Sequence, residues 1–97
     1  MNRNIINFIK KYDISILEIN DIVNIAPMMD VLSYDEFMEN VSLFTKYGYP
    51  EEDLDVLLLA NPNLFVGSPK DLEKDLLKLK NEYGDIEEIL KQDPYII

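Results

Sequence analysis

Leu57-Leu58-Leu59-Ala60-Asn61-Pro62-Asn63-Leu64 is the stretch on which the fold turns, because the chain carries its pattern three times. Ile22-Val23-Asn24-Ile25-Ala26-Pro27-Met28-Met29 precedes it and Ile89-Leu90-Lys91-Gln92-Asp93-Pro94-Tyr95-Ile96 follows. In each copy a helical apolar run meets a proline, whose missing N–H and ring stop the helix and push the preceding residue out of the α region. The prolines lie 35 and 32 residues apart. A period in the thirties with two helices per unit is the mark of an αα-repeat array.

The punctuation around the prolines repeats as well. Ser33-Tyr34-Asp35-Glu36 reads as a capping box, Ser68-Pro69-Lys70-Asp71 as a Ser cap with Pro at the first helical position, and Asp85 and Ser15 as further caps. Gly48 and Gly84, after Tyr47 and Tyr83, mark helix ends that need a left-handed residue. Apolar side chains fall at helical spacing: Ile5, Phe8, Ile9 and Tyr12; Phe37, Val41 and Phe44; Leu72, Leu76 and Leu79. Leu54 to Ala60 is apolar nearly all round, which predicts a helix buried on most sides. Met28 and Met29 fill the apolar pair after Pro27 and are expected in the core.

These signals predict one all-α domain over residues 1–97: a right- or left-handed αα solenoid of about three helix pairs. The units are about 2–32, 33–67 and 68–97, and the six helices about 2–12, 15–25, 34–47, 50–60, 69–82 and 86–92. Short turns follow Pro27, Pro62 and Pro94. The alternative is a six-helix globule without a repeat. Since Tyr95-Ile96-Ile97 ends as a unit closes, those residues either fold back onto the last pair or form a weak self-association surface.

Composition narrows the chemistry. The 97 residues include 9 Lys+Arg and 19 Asp+Glu for a net charge of −10, and there is no Cys or His. No thiolate is available, and a zinc site lacks its usual ligands. The missing His removes the commonest acid–base group near neutral pH. A single Arg and three scattered glycines argue against an anion-binding enzyme or a phosphate loop, so neither enzymatic activity nor a cofactor is expected. No apolar run is long enough to span a bilayer. The first twelve residues carry +3, leaving −13 on the rest. They read as the first helix rather than a Ser/Arg-rich transit peptide, and the cytoplasm is the default location.

The unit Leu43…Gly48-Tyr49-Pro50…Leu54…Leu57-Leu58…Asn61-Pro62-Asn63-Leu64…Leu72…Leu76…Leu79…Tyr83-Gly84 resembles the mitochondrial transcription termination factor (mTERF) repeat. The resemblance runs from about Ile16 onward and fades in the first unit, which lacks a glycine stop. It implies two α-helices and a short 3₁₀ turn per unit, stacked into a curved solenoid. It also implies nucleic-acid binding through a basic surface, which the charge of this chain opposes.

Two constellations are candidates for contact. Tyr49, Glu51, Glu52 and Asp53 form an exposed-looking aromatic beside the densest acidic run, suited to a basic segment or helix of a protein partner. As a divalent-ion site the run lacks the turning loop that such sites use, and helix-start electrostatics accounts for its acids. Lys70, Lys74 and Lys78 fall at i, i+4, i+8 and could contact nucleic-acid phosphates, although interleaved acids make a solvated face the simpler reading. The expectation is therefore a non-enzymatic protein-binding adaptor, with mTERF-like nucleic-acid binding as the alternative.

Overall fold

The computed structural model describes all residues 1–97. It contains six α-helices and no strand: α1 (Arg3–Lys10), α2 (Ile16–Ile25), α3 (Tyr34–Lys46), α4 (Leu54–Ala60), α5 (Pro69–Tyr83) and α6 (Ile86–Gln92). Local chemistry explains the boundaries. Ser15 and Glu18 form a complete capping box, the Ser33 hydroxyl accepts from the Glu36 amide at 3.2 Å, and the Asp85 carboxylate accepts from the Glu87 and Glu88 amides. Ser68 makes no such bond, so α5 relies on Pro69 alone for its start.

Two backbone features recur three times. Ala26, Asn61 and Asp93, each just before a proline, take φ of −127°, −148° and −143° with ψ between 77° and 89°. Each still donates its N–H four residues back, to Ile22, Leu57 and Ile89. Proline has moved these residues off the helix without costing the last helical hydrogen bond. The second feature is a positive φ after Tyr12, Tyr47 and Tyr83, at Asp13 (58°), Gly48 (106°) and Gly84 (81°). The positive φ that the other two stops place on glycine thus falls on an aspartate after α1. The turns after Pro27 and Pro62 are 3₁₀ (Pro27–Asp30 and Pro62–Phe65), and Pro94 starts a single turn closed by Ile96 on Asp93.

The expected helix over 50–60 is divided. Glu51–Asp53 is a 3₁₀ turn, and α4 begins only at Leu54. The Glu51 and Asp53 carbonyls accept the hydroxyls of Tyr12 (2.7 Å) and Tyr49 (3.0 Å), which ties this turn to its surroundings. Asp53 itself, at φ −109°, lies off the helical conformation.

Most helix neighbours in space are next-but-one in sequence: α1 packs on α3 and α3 on α5, while α2 packs on α4 and α4 on α6. The consecutive helices α5 and α6 also pack on each other. The molecule measures 36 × 23 × 20 Å. All four phenylalanines join through its centre: Phe8 contacts Phe37 at 5.4 Å between ring centres, Phe37 contacts Phe65 at 5.9 Å, and Phe65 contacts Phe44 at 5.1 Å. Tyr49 extends the run, edge-on to Phe44. Such pairs add roughly 0.5–1.5 kcal/mol each beyond the burial of their area. Met29 belongs to this core, whereas Met28 is exposed: the tight 3₁₀ turn points consecutive side chains in different directions. At the other end Ile96 and Ile97 pack back against the core and the Tyr95 hydroxyl donates to the Ala60 carbonyl.

Candidate functional site

The acidic run is the first candidate, and the structure separates its members. Tyr49 is only 1% exposed, held by Phe44 and by its hydroxyl's bond to the Asp53 carbonyl. It packs, and offers no ring to a partner. Burial pushes its hydroxyl pKa up to about 12, an effect that the nearby Lys91 partly opposes. Asp53 is engaged internally: Lys91 of α6 bridges it at 2.8 Å and Glu87 at 2.7 Å, and both bonds raise the lysine pKa. Glu51 and Glu52 remain exposed. No three carboxylates converge in a way that could hold a metal ion.

The lysine stripe lies where the spacing put it. Lys70, Lys74 and Lys78 are all exposed on α5, and none has a carboxylate within ion-pair distance. The acids that interleave with them in sequence therefore do not neutralise them by direct contact. Lys70 borders the largest groove, about 710 Å³, between α3 and α5. That groove is shallow and of mixed sign. Across it Lys46 reaches Glu73 at 2.7 Å, and the Tyr47 hydroxyl donates to the same carboxylate at 3.0 Å. These hydrogen bonds hold the Glu73 carboxyl below its ordinary pKa and raise that of Lys46. The groove is already occupied by its own charges.

A second groove, about 380 Å³, lies between α2 and α4 and differs in kind. Ile22 forms part of its lining; Ile25 and Leu59 stand on opposite sides of it, 46% and 39% exposed. Glu18 and Asp21 line it on the α2 side. No lysine or arginine occurs in residues 12–45 or 47–69, which include both helices. Tyr12, beside the start of both helices, has its hydroxyl pKa pushed up to about 12 by burial first, then by Glu51, Asp55 and Glu52.

The near all-round apolarity of Leu54 to Ala60, which predicts a helix buried on most sides, does not reveal this groove. Leu54, Leu57 and Leu58 are buried, but Val56 and Leu59 face outward. On α2 as well, the exposed Ile16, Leu17 and Ile25 form apolar surface rather than core.

Compared with known proteins, the chain matches no family model, no curated protein and no solved structure. The likeness to mTERF repeats rests on the residues quoted above. No helix is long and apolar enough to cross a membrane.

Proposed function

We propose that this chain is a three-unit helical-repeat module without catalytic activity, which binds a basic segment of a protein partner. The repeat reading is supported by the thrice-repeated pre-proline geometry, the positive φ at Asp13, Gly48 and Gly84, and the next-but-one packing of the helices. A stack of helix pairs brings equivalent helices side by side in this manner. The overall length of 36 Å suits three helices at the usual spacing of roughly 10 Å.

The observation that carries the function is the segregation of charge. α2, α4 and the turns around them hold acids and no cation, while four of the lysines are confined to α5. Such a surface attracts basic segments over several ångströms, and the attraction fades with salt. Affinity capture from source lysate, with and without nuclease, tests the reading. A protein retained after nuclease treatment, released by salt and carrying a basic segment supports it. Tight binding to duplex nucleic acid with no protein recovered overturns it.

One observation favours the alternative, mTERF-like nucleic-acid binding: Lys70, Lys74 and Lys78 are exposed and free of ion pairs. Replacing all three with glutamate separates the readings. Loss of a measurable nucleic-acid affinity supports the alternative; retention of protein capture supports the adaptor.

A further inference from the structure

We infer that the groove between α2 and α4 is the docking site, and that it takes an amphipathic helix of the partner with apolar residues at one end and Lys or Arg two turns away. This rests on the binding-module reading and deepens it.

The groove has a direction. Tyr12, just before α2, donates its hydroxyl to the carbonyl of Glu51, just before α4, at 2.7 Å. At the far end Asn63, just after α4, donates its side-chain amide to the Ile25 carbonyl at 3.3 Å. The two helices therefore run the same way, start beside start and end beside end. Glu18 and Asp21 line the groove ahead of Ile25 on α2, and Glu52 and Asp55 lie at the start of α4, outside its lining. At the far end of the groove Ile25 faces Leu59, while the exposed Ile16 and Leu17 at the start of α2 lie outside its lining. Glu18 to Ile25 spans seven residues, or about 10 Å along the helix axis.

Charge complementarity selects the occupant. An apolar ligand alone would leave the acidic end unmatched, and a purely basic segment would leave Ile25 and Leu59 in water. A helix with an apolar anchor and a cation about two turns away along one face matches both ends. The channel between two parallel helices receives a third helix by ordinary ridge-into-groove packing. No cation of this chain's own α2 or α4 competes for the acids. The nearest in sequence is Lys11, whose ammonium lies over the Phe8 ring at 5.4 Å.

The test uses a fluorescent synthetic peptide of about 16 residues, built from Leu, Ala and Lys. Its leucines lie at one end of the helical face and its lysines two turns along; an isomer of the same composition scatters them. Anisotropy titrations at low and physiological salt give the affinities, and amide-shift mapping of the whole chain locates the peptide. The patterned peptide is expected to bind at least roughly tenfold more tightly than the isomer, with shifts centred on residues 18–25 and 55–59. Leu59→Ser and Ile25→Ser are each expected to weaken it several-fold while leaving the thermal melt in place, since both side chains are exposed. Asp21→Asn is expected to flatten the salt dependence.

Equal binding of the two peptides, indifference to Leu59→Ser, or shifts centred on Glu51–Asp53 alone overturn the groove while leaving a basic partner standing. No binding of either peptide at low salt overturns both. Shifts on α5 caused by a nucleic-acid duplex, with none by the peptide, favour the rival reading.

Discussion

Three residues hold the same backbone duty with different side chains. Gly48 and Gly84 take positive φ freely, and a Cβ added at either would meet nothing within 4 Å. Any cost of substitution there is therefore conformational. Gly84, at φ 81° and ψ −52°, lies where an L-residue is strained, so Gly84→Ala is expected to destabilise by about 1–3 kcal/mol in urea unfolding. Asp13 bears a smaller version of that strain at φ 58°. Asp13→Gly is expected to be neutral or to stabilise by up to about 1 kcal/mol, relief of strain being offset by the entropy of glycine. A marked loss at Asp13→Gly would mean that its carboxylate, not its backbone, is what the turn needs. The sequence showed two of these stops through glycine. The third was hidden because aspartate is an ordinary residue until its φ is known.

Between elements, the connection with most at stake is Asn40. It is fully buried on α3, and its amide nitrogen donates to the carbonyls of Phe65 at 2.8 Å and Gly67 at 3.0 Å. α3 is thereby fastened to the segment that follows α4. Its own carbonyl oxygen is buried without a partner, so the site favours a donor over an acceptor. Asn40→Asp would set a carboxylate against two carbonyl oxygens, and its folded-state pKa should rise above the unfolded value. Stability would then be greatest at pH below the ordinary Asp pKa and fall as pH rises toward neutral. The expected loss near pH 7 is about 2–3 kcal/mol or more, with partial recovery in acid, read from chemical unfolding at several pH values. A pH-independent loss would point to packing instead. Nothing in the local pattern around Asn40 announced this role. It occupies a helical position between Phe37 and Phe44, and only the return of the chain past Phe65 gives it partners.

For the molecule as a whole, the surface charge of −10 and the aromatic core meet at the tyrosines. Tyr12 and Tyr49 both have hydroxyl pKa values pushed up to about 12, chiefly by burial. Both donate to carbonyls of the Glu51–Asp53 turn and so must stay protonated for that turn to hold. Their folded pKa lies above the unfolded value near 10, so their contribution is intact below about pH 10 and lost as pH climbs toward 12. Alkaline titration followed at the phenolate absorbance should show these two ionising last, together with loss of helical circular dichroism. Replacing Tyr12 and Tyr49 with phenylalanine should remove that coupling. Early, reversible ionisation of all six tyrosines with the helices intact would contradict it.

The sequence alone determined that there are six helices, because caps, prolines and glycines act within a few residues of themselves, although it did not show the 3₁₀ turn that divides residues 50–60. It also established the threefold spacing of the prolines and the excess of acid over base, both of which are properties of the linear chain. Tertiary structure decided which apolar residues were surplus to the core. Tyr49, flanked by Gly48 and Pro50, looked exposed, but Phe44 stands edge-on to its ring and Lys91 of the distant α6 lies over it at 5.8 Å. Leu59, in a helix that reads as buried on most sides, instead faces Ile25 across a gap that no element of this chain fills. Periodicity reports that a side chain prefers to leave water. Whether something is there to cover it depends on elements far away in sequence.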